Sequence, residues 1–205
     1  AAKFTINAST GVLGFQAAPD HEAPTDAGGN NVYDVIVQVS DGSLTDTQAL
    51  AVTVTDVNDV APVITSDGGG ASAGLNVAEN STAVTTVTAT DLDGPSLTYS
   101  ISGGADASKF TIDASTGVLN FVTGPDFEAP TDADADNVYD VVVQVSDGTL
   151  TDSQAIAVTV TDVNDLAPVI TSNGGGASAS LNAAENGTAV TTVTATDLDG
   201  PSLTY

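Results

Sequence analysis

The sequence contains no cysteine, so no disulfide braces the fold and no thiol chemistry is open to it. Bases are nearly absent too: Lys3 and Lys109 stand alone against 27 acids, and the formal net charge is -25. Phosphate backbones and anionic membrane surfaces are bound through Lys and Arg, which excludes nucleic acid and charged-membrane partners. No apolar run is long enough to cross a bilayer, and no signal peptide opens the sequence. The expectation is an internal segment of an exported protein, with no membrane insertion of this segment. Tryptophan is missing and aromatics make up 4% of the residues, so Val, Ala, Leu and Ile carry the hydrophobicity.

High charge with few aromatics is a composition of disordered chains. The patterning here argues otherwise. Tyr33, Val35, Val37 and Val39 share one face of an alternating run, and Leu50, Val52 and Val54 share another. This is the period of two expected of strands, with β-branched residues in nearly every run. Turn formers such as Asp-Gly, Asn-Asp and Gly-Gly-Gly close each run. No stretch has a helical period.

The sequence repeats itself with a period of 106 residues. Residues 1–99 align on 107–205 without a gap, and 19 positions differ. A period of this size is one small domain, and the chain is an array of such domains. One full repeat predicts strands at Pro62–Ile64 resuming at Leu75–Val77, then at Ala83–Thr90, Leu97–Ile101, Lys109–Ile112, Val118–Val122, Val138–Val145 and Gln154–Thr161. Seven short strands at this spacing predict an all-β fold of tandem seven-strand Greek-key sandwiches. The expected boundaries are 1–59 for the last four strands of one repeat, 60–165 for a complete repeat, and 166–205 for the first three strands of another.

Acidic marks recur at one register in both copies: Asp-x-Glu at 20–22 and 126–128, DVNDxAP at 56–62 and 162–168, Glu-Asn at 79–80 and 185–186, and DLDG at 91–94 and 197–200. In these marks, their order, and the turn in TIDASTGVL (111–119), the chain resembles tandem cadherin repeats of large bacterial surface proteins. The missing cysteine fits a bacterial surface better than an animal secreted domain. Val60 and Leu166 depart from the family's usual Asn. The resemblance implies that this position coordinates through its backbone carbonyl.

Calcium takes six to eight oxygens from carboxylates, amides, carbonyls and water. The resemblance implies about three Ca2+ at each junction between repeats. At the first junction it assigns Asp20, Glu22, Asp56, Asn58, Asp59, Asp91, Asp93 and Asp147. At the second it assigns Glu79, Asp126, Glu128, Asp162, Asn164, Asp165, Asp197 and Asp199. Two carboxylates about 4 Å apart repel by roughly 4 kcal/mol at an effective dielectric near 20, so such a joint needs cations. Asp-x-Asp alone is more often a turn. DLDGPSLTY lacks the further ligands of an EF-hand, and the glycine runs lack the spaced Asp of calcium-binding nonapeptide repeats.

No enzyme is expected, because the acids recur along an array. The only histidine, His21, aligns with Phe127 and reads as a half-buried spacer. The sequons at Asn7, Asn80 and Asn186 read as chance. Two roles follow: an extracellular, calcium-stiffened spacer of an adhesin or surface fibre, or a self-assembling filament subunit. A directly ligand-binding adhesive domain ranks below both. The filament role rests on the expectation that the end of one copy completes the split domain at the start of the next. Such a head-to-tail contact does not close on itself. Tyr33, Val35 and Leu50 on one part, and Val190, Val193 and Leu203 on the other, are expected to lie bare until covered.

Overall fold

The computed structural model describes every residue except Ala1, Ala2, Pro95 and Pro201. Ala1 and Ala2, part of the expected first segment, therefore lie outside the described residues. The described residues are all-β, with two short 3-10 turns and no α-helix.

Two sheets face each other across the core of the middle region. The first strand is split between the larger of these and a separate two-stranded ladder. Its opening piece, β5 (Val63–Ile64), pairs antiparallel with β8 (Ala89–Thr90). Its second piece, β6 (Ser72–Ala78), crosses over and runs parallel to β13 (Thr151–Thr161). The Asp67–Gly70 loop makes this crossing possible. Asp67, Gly68 and Gly69 all take positive φ, and a Cβ on Gly69 would meet the Ile64 carbonyl at 3.3 Å. The larger sheet is completed by β12 (Val138–Ser146) and β9 (Thr98–Gly103), in the order β6-β13-β12-β9. Facing it, β7 (Ala83–Thr86), β11 (Val118–Phe121) and β10 (Phe110–Ile112) pair in the order β10-β11-β7.

The predicted strand over Ala83–Thr90 is broken into β7 and β8. Between them the Val87 amide donates to Gly117 O at 2.8 Å, and the β11 register shifts at Leu119/Asn120. Gly117 permits this approach: with φ +72, an added Cβ would sit 2.1 Å from Val87 O. The alternation read from the sequence holds in β12 and β13, where Tyr139, Val141, Val143 and Val145 share the core-facing side of the sheet with Ile156, Val158 and Val160. Phe110 stacks on Phe121 with centroids 4.6 Å apart, and Tyr139 meets both edge-on. The Tyr139 hydroxyl accepts from the Thr131 amide at 3.1 Å, pinning the loop between β11 and β12.

The preceding region repeats part of this plan. β1 (Phe4–Ile6) pairs with β2 (Leu13–Phe15), and β3 (Val32–Ser40) with β4 (Thr45–Thr53). Phe4, Phe15 and Tyr33 reproduce the aromatic trio at 4.6, 6.5 and 5.2 Å. They bury Tyr33, against the expectation that it lies bare, while Ile36 and Val39 on β3 are exposed. Beyond Leu166 the strands among the described residues are β14 (Val169–Ile170) and β15 (Ala195–Thr196). Val190 and Val193 there are exposed. Residues 178–184, which align with β6, form no strand, and among the described residues none pairs with them as β13 pairs with β6.

Candidate metal centre

The second junction is organised around Glu79, which follows β6 and is 4% exposed. One carboxylate oxygen accepts from the Val163 amide at 2.7 Å, the other from the Phe127 amide at 2.9 Å. A single side chain thus ties the Asp-Val-Asn-Asp linker to the Asp-x-Glu loop. Glu79, Asp126 and Glu128 bring carboxylate oxygens within 4.8 Å of one another, as do Glu128, Asp165 and Asp199. Asp199 crosses from the following segment to accept from the Leu166 amide, and its own amide donates to Asp197 Oδ1 at 3.4 Å. Asn80, at φ +62, donates to Asp165 Oδ2 at 2.6 Å, so this sequon asparagine is engaged in the junction. Asp126 Oδ1 also accepts from the Ala129 amide. Asn164 is exposed and makes no side-chain hydrogen bond among the described residues.

The first junction has the same plan. Glu22, Asp59 and Asp93 converge within 4.8 Å. Asp93 Oδ2 accepts from the Asp59 and Val60 amides at 2.9 and 2.8 Å, and the Asp93 amide donates to Asp91 Oδ1. The Asn58 amide group reaches 2.9 Å from Asp147 Oδ2 and 3.3 Å from Asp93 Oδ2. With its nitrogen inward it donates to both. Asp147 Oδ1 caps the Thr149 and Leu150 amides. Asp20 is committed to its own turn, accepting from the Glu22 and Ala23 amides. His21 is more than a spacer: its Nδ1 lies 3.0 Å from Glu22 Oε1 and 3.5 Å from Asp56 Oδ1. The linker's approach to the Asp-x-Glu loop, invisible in sequence, puts it there.

Electrostatics follow from the crowding. Burial raises the Glu128 carboxyl above its ordinary value, and the charges of Glu79, Asp199 and Asp162 add to the rise. Asp162 is raised by burial and by Asp199, Glu79 and Asp165. Glu22 is raised by burial, with Asp56 and Asp93 contributing. Asp147 moves the other way, lowered by the Leu150 and Thr149 amides and by Asn58. Glu128 Oε1, Asp199 Oδ1, Asp91 Oδ2 and Asp93 Oδ1 are buried without any hydrogen-bond partner. Such an oxygen is unfavourable unless something positive meets it. The donor set is all oxygen, which suits calcium.

A further cluster went unread in the sequence. Asp132, Asp134 and Asp136 lie within 4.8 Å of one another in the loop after β11. The charge of Asp136, then burial and Asp132, raise the Asp134 carboxyl. Alternating Asp-Ala-Asp-Ala-Asp was the visible sign, and it resembles an ordinary turn.

Residues 75–162 match the cadherin domain family. Among solved structures, the chain is similar to a protocadherin gammaB7 EC3-6 cis-dimer at 26% identity, covering 98% of this chain and 50% of that one, with a TM-score of 0.68. It is also similar to the protocadherin gammaB4 extracellular domain at 26% identity, covering 98% and 33%, with a TM-score of 0.64. Human CDH23 EC21-23 shares the fold, at 20% identity, coverage of 97% and 62%, and a TM-score of 0.69. The chain spans half or less of the two protocadherin structures. No curated protein matches it. The middle of the chain is a cadherin-like β-sandwich repeat.

Proposed function

We propose that this chain is a calcium-rigidified structural repeat of an extracellular adhesin or surface fibre, acting as a spacer. The observation that carries the reading is the set of buried, unpartnered carboxylate oxygens at both junctions, on Asp91, Asp93, Glu128 and Asp199. Calcium would be held at the first junction by Glu22, Asp56, Asn58, Asp59, Asp91, Asp93 and Asp147, with Asp20 turning in to join them. At the second it would be held by Glu79, Asp126, Glu128, Asp162, Asp165, Asp197 and Asp199, with Asn164 joining. About three ions per junction would nearly balance seven carboxylates. The repeats divide at 1–59, 60–165 and 166–205, and calcium sets them in an extended rod whose contacts are confined to neighbours. The acids hold metal and structure rather than a reaction centre, so no enzymatic activity is assigned.

Small-angle scattering with calcium and with a chelator tests this. The expected result is a rod that shortens or becomes flexible on chelation. Identical curves in both conditions refute it. The exposed Ile36, Val39, Val190 and Val193 favour a second reading, in which a neighbouring repeat or another copy covers these faces head to tail. Sedimentation across a concentration series decides between them: a filament subunit grows without limit, and a spacer stays monomeric.

A further inference from the structure

We propose that Asp132, Asp134 and Asp136 form a calcium site inside a single repeat, in the loop between β11 and β12, separate from the junctions. The side chain of Asp132 is 8% exposed and presents a carboxylate oxygen within 4.8 Å of those of Asp134 and Asp136. Its Oδ2 accepts from the Asp136 amide at 2.8 Å, but its Oδ1 is buried and has no partner. Asp134 and Asp136 are exposed, so an ion has a route in and room for water ligands. Three carboxylates on one short loop give the charge and the hard oxygen donors that calcium prefers.

The other copy supplies an internal comparison. There the aligned residues are Asp26, Gly28 and Asn30. Asp26 Oδ2 accepts from the Gly28 and Asn30 amides at 3.0 and 3.1 Å, and Oδ1 accepts from the Asn31 amide at 3.2 Å. That loop is closed by its own amides and needs no ion. In the middle repeat, two further carboxylates have replaced Gly28 and Asn30, and the central carboxylate has given up amide partners. The loop is also held from outside. Asp106 is buried and accepts from the Ala133 amide at 2.8 Å and the Asp140 amide at 2.9 Å. The loop backbone is therefore held by a carboxylate outside the cluster; within it, Asp132 Oδ2 and Asp136 Oδ1 accept the Asp136 and Val138 amides, and Asp132 Oδ1 is left without a partner. Ala135 keeps φ +61, where the other copy has Gly29 at φ +60, so the backbone path is shared.

The test uses the full chain and calcium ions. The double substitution Asp134→Gly with Asp136→Asn restores the other copy's residues at the two added carboxylates and leaves Ala135, which already follows the shared backbone path, in place. Calorimetric titration is expected to show one calcium fewer per chain, with melting in chelator not lowered. An unchanged stoichiometry and isotherm overturns the proposal. On the unsubstituted chain, the Asp134 and Asp136 amide resonances are expected to shift during calcium titration; if they stay fixed through saturation, the site does not exist. Failure of the junction reading would show separately, as a calcium stoichiometry that Asp93→Asn and Asp199→Asn leave unchanged while the loop resonances still respond.

Discussion

Replacing Glu79 by Gln separates two roles held by one buried side chain. Both Glu79 oxygens accept backbone amides, from Val163 and Phe127. Gln keeps the shape but offers one acceptor, so one amide loses its partner. A hydrogen bond to a charged group contributes about 1.5–3 kcal/mol. Relief of repulsion with Glu128 and Asp162 offsets part of that, so the variant in chelator is expected to lose less than about 2 kcal/mol. Calcium changes the balance. An ion present at a hundredfold its dissociation constant, and binding the folded state alone, adds about 2.7 kcal/mol. For a domain of about a hundred residues, each kcal/mol moves the melting temperature by about 4–8 °C, so calcium is expected to raise the natural sequence by about 11–22 °C. The Gln variant should keep less than half of that rise, because one member of the Glu79, Asp126 and Glu128 carboxylate group has lost its charge. Far-ultraviolet circular dichroism melts, with calcium and with chelator, supply all four values. An equal calcium-induced rise in both proteins would refute the reasoning.

Three further outcomes are expected. Leu119→Ala empties a fully buried site between the sheets and should cost about 3–5 kcal/mol in urea unfolding, whether or not calcium is present. Tyr139→Phe removes the bond to the Thr131 amide and should cost about 0.5–1.5 kcal/mol by the same assay, with the stacked Phe110 and Phe121 retained. Asp113 is held below its ordinary value by the Thr116 and Ser115 amides. A lowered carboxylate contributes stability above its unfolded pKa and loses it as pH falls through the folded one. Asp113→Asn should therefore melt below the natural sequence at pH 7, and the gap should close as pH falls below 3.8.

Much of the fold was legible because its core strands bury one face. Tyr139, Val141, Val143 and Val145 alternate with outward residues, and the alternation alone places β12. The break at Val87 was not legible, since it depends on Gly117 approaching from the turn before β11. The same contrast holds at the candidate site. Repetition at a fixed register pointed to the acidic residues, and the geometry brings most of them into two clusters. The clamp made by Glu79 joins residues 48 and 84 positions away, which local pattern does not encode. His21 illustrates the limit from the other side: its alignment with Phe127 suggested a filler, yet the linker brings Asp56 beside it.

The parallel pairing of β6 with β13 has a mechanical consequence. The chain enters this sheet near Ser72 and leaves it near Thr161, at opposite ends of the same ribbon, with register running from Ser72↔Ala155 to Ala78↔Thr161. Tension applied through the chain therefore loads this ladder in shear. The interstrand hydrogen bonds must then yield together, whereas a hairpin pulled from its open end unzips one bond at a time. A repeat wired this way resists stretching out of proportion to its modest size, and its weakest response to load is expected where β5 lets go of β8, before the long ladder slips.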